Sequence, residues 1–412
     1  MTTECKKILR ELGKEYAEIA HLPVQQEKVN LWKALNDLQP IRPMVMIHQW
    51  PLHELLELDN GFLKCRLDAP LFRSVEYHMR LTLLRFRNFP GDMVVLPEIR
   101  SPLAVSAKGG YEDLVKESTL ATDRLNDVVS HKYEDVIKTE ADLEKITDPV
   151  ISHDEKKSAR WMEQLQEIFD GILDVKPGKI QVGFDVWDTI ATLKSVEKVL
   201  DDIIDRPDFV HKLVDKLFKV YRSTAEQYES LGLLDGNPDE VHCTGAYTNE
   251  LPQRGYSGPT RIVDSWACTA SQMFSCVSPA MDKEFQIDYV EKYMSDFGLL
   301  YYGCCEPLHD RIDLIRQLKN VRKISISPWA DIEKSAQQLG SSYVMSRKPN
   351  PALLALNSFD ENLVRSELSE TLNICKKYNT PCELILKDIS TVKYQPERLI
   401  KWNEIAMELV TG

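Results

Sequence analysis

The stretch "LLYYGCCEPLHDRIDLI", residues 299 to 315, sets Cys304 and Cys305 side by side after a short apolar run, with Glu306 and His309 close behind. Thiol, carboxylate and imidazole groups at the end of a strand can ligate a metal or touch a substrate. The bland alternative makes both cysteines small buried hydrophobes, because free cysteine is among the most buried residue types. Neighbouring side chains of a regular strand point to opposite faces. One thiol then faces the site, unless a turn has already begun at Gly303.

His242, near the end of "DEVHCTGA", is a second candidate, as metal ligand or as acid–base catalyst. Strand alternation would send Cys243 the other way. His48 closes "PMVMIHQW" and is read as a substrate contact. His309 opens the helix after the cysteines, as a cap or a catalytic group. Asp264 and Trp266 stand in "RIVDSWAC", either as catalytic and binding residues or as a cap and core packing. Trp187, Trp266 and Trp329 lie near predicted strand ends and would suit a flat aromatic or methylated substrate. Arg347 could bind an anionic group. Glu306 and Asp388 could supply a carboxylate ligand.

These residues need elements to position them. Apolar spacing predicts two helices in residues 1–40, an N-terminal helical extension. "PMVMIHQW" predicts a strand, and residues 71–88 a helix. Residues 89–150 hold one candidate strand, "DMVVLPEI", and a polar stretch that reads as an excursion. From residue 155 helices alternate with the strands "KIQVGFDVW", "DEVHCTGA", "GLLYYGCC", "VRKISISPW", "SSYVMSR" and "CELILKDIS". Such alternation predicts a parallel sheet with helical crossovers. The strand number fits a distorted (β/α)8 TIM barrel over residues 41–412, with its chemistry at the C-terminal strand ends. No GxGxxG follows the first strand and no GxxxxGK[ST] occurs, which argues against both nucleotide-binding readings.

The chain has 412 residues, a net charge of −13 and 43% hydrophobic residues. It lacks the overall basic footprint of a nucleic-acid binder. No run of about 18 apolar residues predicts a membrane span, and residues 1–20 carry no signal-type apolar stretch. Nine scattered cysteines suit reduced thiols and a cytoplasmic location.

"IVDSWACTASQMFSCVSPAM", followed by "GLLYYGCCEPLHDRIDLI", resembles the uroporphyrinogen decarboxylase superfamily. "DRPDFVHKLVDKLFKVYRSTAEQYESLGL" and "SYVMSRKPNPALLA" are similar to its paired helices and its later strand. The resemblance covers roughly residues 155–410 and implies a distorted TIM barrel. It also implies one of two chemistries: cofactor-free decarboxylation, or zinc-dependent methyl transfer involving a corrinoid. The arginine-bearing segment of the decarboxylases has no counterpart here. The methyltransferase branch carries His-x-Cys where this chain has Tyr302 and Cys304, and glycine where it has Cys305. Its last zinc ligand falls near Lys387 or Asp388.

The expectation is therefore a methyltransferase moving a methyl group from a small methylated substrate, such as a methyl ether, to a corrinoid on a partner protein. Zinc would be held by His242, Cys304 or Cys305, and a carboxylate from Glu306 or Asp388. Cys304 is the expected inward thiol. The alternatives are a carboxy-lyase acting on a different acid, and a non-catalytic barrel that binds a tetrapyrrole. No nucleic-acid or membrane partner is expected, and a homodimer is left open.

Overall fold

The computed structural model describes residues 2–120 and 129–412. Its centre is a parallel sheet of seven strands: β1 (Met44–Ile47), β2 (Val182–Phe184), β3 (Trp266–Thr269), β4 (Leu299–Tyr302), β5 (Val321–Ile326), β6 (Val344–Arg347) and β7 (Cys382–Leu386). The order is β1-β7-β6-β5-β4-β3-β2, and every pairing within it is parallel.

Side-chain alternation builds two layers. Val45, Ala267, Leu300, Ile324, Met345 and Leu384 face outward and join the larger core beneath the helices. Met44, Met46, Trp266, Cys268, Tyr301 and Ile385 face the other way, into one contiguous cluster. That cluster joins β1 to β3 across the sheet, so the sheet is curled around it, as in a barrel-like α/β fold. Strands buried on both faces read as near-continuous apolar runs, which explains why "WACT" and "LLYY" lack a polar face.

The inner face is not purely apolar. Lys323 of β5 and Glu383 of β7 form a fully buried ion pair at 2.7 Å. The ammonium also donates to Thr244 Oγ1 and to the Gly245 carbonyl. The register between β4 and β5 shifts after Leu300, so that Tyr301 pairs with Lys323. A one-residue irregularity of this kind re-aims the side chains after it, and here it turns Lys323 inward.

Crossover helices cover the outer face, among them α5 (Val186–Lys194), α6 (Pro207–Ser230), α7 (Ile332–Leu339), α8 (Glu361–Tyr378) and α9 (Glu397–Thr411). Upstream lie α1 (Thr3–Ala20), α2 (Pro23–Asn36), α3 (Pro70–Asn88) and α4 (Glu155–Phe169). The apolar stripes of α1, α3 and α4 close a separate core through Leu9, Met79, Leu83 and Phe169. Trp32 of α2 joins the inner cluster instead. Its ring lies so close to Gly245 that a Cβ there would meet it at 2.5 Å, so this close approach requires glycine.

Two expectations need correction here. "DMVVLPEI" forms no strand of the central sheet; only Glu98–Ser101 is extended, and it pairs with Asp174–Pro177. "DEVHCTGA" is not a sheet strand either. It is a short antiparallel hairpin, Glu240–Val241 with Thr244–Gly245. His242 sits in its turn at φ 55.

Candidate active site

The paired cysteines lie just beyond β4. Gly303 begins a turn at φ 92, where a Cβ would meet Leu308 at 2.5 Å. The chain therefore leaves strand geometry before Cys304, and alternation no longer separates the two thiols. Their sulfurs stand 3.4 Å apart. The Cys304 amide donates to Glu306 Oε2, and the Cys304 carbonyl accepts from Ser325 Oγ. Both bonds fix the turn.

Lys387, one residue past β7, donates its ammonium to Cys304 Sγ at 3.0 Å. Cys305 Sγ stands 3.2 Å from Asp388 Oδ2, so its single proton serves either that carboxylate or the Cys304 sulfur. Asp388 itself adopts φ 57, which turns its carboxylate back toward the thiol. The result is a chain of contacts: Lys387, Cys304, Cys305, Asp388. The Cys304 thiol is pushed well below its ordinary value, first by the Cys305 hydrogen bond, against burial, then by His242 and Lys387. Cys305 moves the opposite way, because it donates to Cys304 and is buried. The two thiols titrate as a pair, in which the Lys387 contact favours Cys304 as the thiolate. Burial opposes the Lys387 ammonium, but the surrounding Cys243, Cys304 and Asp388 groups outweigh it and raise its pKa.

Two carboxyl groups face the thiolate from the exit of β2: Asp185, just past the strand, and Asp188, in the first turn of α5. Burial pushes Asp188 up to about 6, with Asp185 and Cys304 adding to the effect and the Gln272 amide opposing it at 2.7 Å. Asp185 is raised for the same first reason. Below them Tyr301 lies 5.0 Å from the His242 ring, accepts from Lys348 Nζ at 2.7 Å and donates to Ser346.

The structure brings together His242, Cys304, Cys305 and Asp388 of the sequence-predicted set. It separates most of the others. Asp264 precedes β3 and is bound to Arg261 and the Gln253 amide, and Trp266 begins that strand. Both sit at the amino end, away from the strand mouths; the motif was read one strand length out of register. Trp187 is fully buried in α5 against Phe274, at 4.2 Å. Trp329 is 71% exposed in the loop after β5. Arg347 faces the helix layer, donates to the Ser327 carbonyl and approaches Glu367 at 3.4 Å. Glu306 is spent on backbone amides of Ser271 and Cys304, and burial raises it to about 7 against those bonds. His309 approaches the adjacent Asp310 at 3.5 Å. His48 does close β1, and it faces Glu240 at 3.4 Å. Cys243 also turns inward, 3.7 Å from the Tyr301 hydroxyl, because a hairpin turn and not strand alternation sets its direction.

Lys387, Asp185 and Asp188 carry much of the site's electrostatics; the sequence places Asp188 and Lys387 at predicted strand ends without giving them a role, and it does not single out Asp185. A signal existed for Lys387. It shares a period-2 face with Glu383 and Ile385 in "CELILKDIS", and a charge on the inner face of a buried strand asks for a partner.

Zinc does not fit this donor set. The best candidate ligand, Cys304, already holds an ammonium at 3.0 Å. Among the described residues no three His, Cys, Asp or Glu side chains form a group that could hold a metal ion.

No protein-family model matches the chain, and no curated protein matches it. Among solved structures it is similar to a methyltransferase from Methanosarcina mazei, with a TM-score of 0.52 and 11% sequence identity, covering 91% of this chain and 97% of that one. At that identity the likeness is one of fold. Among the described residues no helix is long and apolar enough to cross a membrane.

Proposed function

We propose that this chain is a methyltransferase that takes a methyl group from a small methylated substrate, such as a methyl ether, and passes it to a corrinoid carried by a partner protein. The observation behind this reading is the Cys304 sulfur held 3.0 Å from the Lys387 ammonium at the carboxyl ends of parallel strands, a contact that favours the thiolate. Active sites of parallel α/β barrels lie at that end. A methyl group in transfer gains positive character, and a fixed negative charge beside it stabilises that state. The departing heteroatom needs a proton. Asp188, with a pKa near neutrality at about 6, is the donor we assign, and His242 orients the thiolate. The methyltransferase title of the Methanosarcina mazei structure supports the same class.

The curled sheet is read as a (β/α)8 barrel of the uroporphyrinogen decarboxylase superfamily. In that reading the segment after Gly91 borders the β1 edge, where the Asp92 amide donates to the Val45 carbonyl at 2.7 Å. A carboxy-lyase would need free cations at the mouth to receive carboxylates. Lys387 is committed to Cys304 and Arg347 faces Glu367.

The test mixes the chain with reduced free corrinoid or a corrinoid protein and a panel of methyl ethers, methylamines and methyl thioethers. Methylated corrinoid and demethylated product should appear together, and Cys304→Ala should slow turnover by at least about 100-fold, the loss of one preorganised electrostatic group. Full turnover with no corrinoid present would refute the reading.

A further inference from the structure

A cavity of about 420 Å³ lies between α1, α3 and the segment 93–102, with Asp239 and Glu240 of the hairpin on its wall. That size is typical of small-molecule sites. His78, Thr82 and Arg85 project into it from α3. Arg85 differs from three arginines of the interior. Arg42, Arg80 and Arg311 each pair with a carboxylate within 3 Å. Arg85 stacks its guanidinium on Trp50 at 4.6 Å and makes one long bond to the Ile47 carbonyl, at 3.3 Å. Its Nε is buried and unpartnered among the described residues, as are Trp50 Nε1 and His48 Nδ1 beside it. Interior charges are normally paired, because an unpaired one loses hydration without compensation.

The nearby acids are committed elsewhere. Glu240 faces His48, Asp239 accepts from the Tyr247 hydroxyl at 2.9 Å, and Glu98 and Asp235 are taken by Arg100. Arg85 therefore has no carboxylate in direct contact, although it feels the Glu240 charge, and it sits at one end of a cavity whose remaining walls include Val75, Met93, Leu96 and Ile99.

We propose that this cavity is a binding site for a small organic monocarboxylate, held by the Arg85 guanidinium with its apolar body along α3. The planar guanidinium matches a carboxylate in two parallel hydrogen bonds. The acids on the far wall reject polyanions such as phosphate esters. Apolar Val75, Met93 and Leu96 exclude a purely hydrophilic anion. The site is separate from the thiolate chain, although Glu240 on its wall lies only two residues from His242. The inference holds whether or not the chain transfers methyl groups.

Calorimetric titration of the full chain with propionate, hexanoate and benzoate, each beside its primary amide, tests it. At least one acid should bind, with its amide weaker by at least about tenfold, the value of a charged hydrogen-bonded contact. Arg85→Gln should weaken that acid by the same factor, and Cys304→Ala should leave it unchanged. Ser74→Trp, which fills the cavity while keeping Arg85, should abolish binding and guards against misfolding of the arginine variant. No binding by any of the three acids, equal binding of acid and amide, or an Arg85→Gln variant that binds like the wild type each overturns the proposal.

Discussion

Replacing Lys387 by methionine removes a charge 3.0 Å from the Cys304 sulfur while keeping the length of the side chain. Both groups are buried, with the lysine side chain 2% exposed. Two unit charges at that distance attract by about 5 kcal/mol at an effective dielectric near 20. At about 1.4 kcal/mol per pKa unit, that bounds the effect near 4 units. Water entering the vacated space reduces it, and the Cys305 and His242 contacts persist. A thiol is a weak donor, so these contacts hold part of the depression only. The expected rise is about 2 units, within the range of one close opposite charge. Thiolate absorbance near about 240 nm reads the titration, each protein being compared with its own Cys304→Ala counterpart so that the other thiols cancel. Wild type should show Cys304 ionised throughout pH 5 to 8, and Lys387→Met should show a titration that has moved up by about 2 units, so that part of it falls inside that window. Identical flat curves for the two proteins would sink the account of the lysine clamp. So would a wild-type thiol that ionises only above about pH 8, the ordinary range of cysteine.

Asp188→Asn tests the burial of that carboxyl. A folded pKa raised from 3.8 to about 6 means the native state keeps its proton longer, so stability from this group falls as pH rises between those values. The variant should gain about 1–2 kcal/mol at pH 7.5 relative to its difference at pH 3.5 by urea unfolding, and an equal difference at both pH values counts against the assignment. Glu383→Ala strands the buried Lys323 ammonium and should cost about 3–5 kcal/mol. The double change Lys323→Met with Glu383→Leu should recover most of that loss in the same assay, and strict additivity would contradict a direct pair. Elemental analysis of protein grown with ample zinc should find well under one zinc per chain. Stoichiometric zinc that disappears in Cys304→Ser would show that a metal, and not Lys387, holds the thiolate.

The alternation of strand and helix was legible because buried parallel strands leave short apolar runs between amphipathic helices. The segments "VMI", "LLYY", "ISI", "VMS" and "ELIL" all lie in the central sheet. What the sequence hid was backbone geometry that breaks a repeat. His242 at φ 55 turns a predicted strand into a hairpin. Gly303 at φ 92 frees both cysteines from alternation. The irregular pairing before Lys323 points a charge inward. Trp266 misled for a different reason: a tryptophan beside an aspartate looks alike at either end of a strand, and only the sheet register fixes which end it occupies.

The 3.4 Å contact between Cys304 and Cys305 has a consequence for how the protein must be handled. Two-electron oxidation of the pair, with loss of the remaining thiol proton, would join neighbouring residues in an eight-membered ring. The anion that Lys387 holds would then be gone. Air would switch such a centre off without disturbing the fold, and a dithiol reductant would restore it. A reversible mass loss of about 2 Da on diamide treatment, confined to the peptide carrying both cysteines and absent in Cys305→Ser, is the signature to look for.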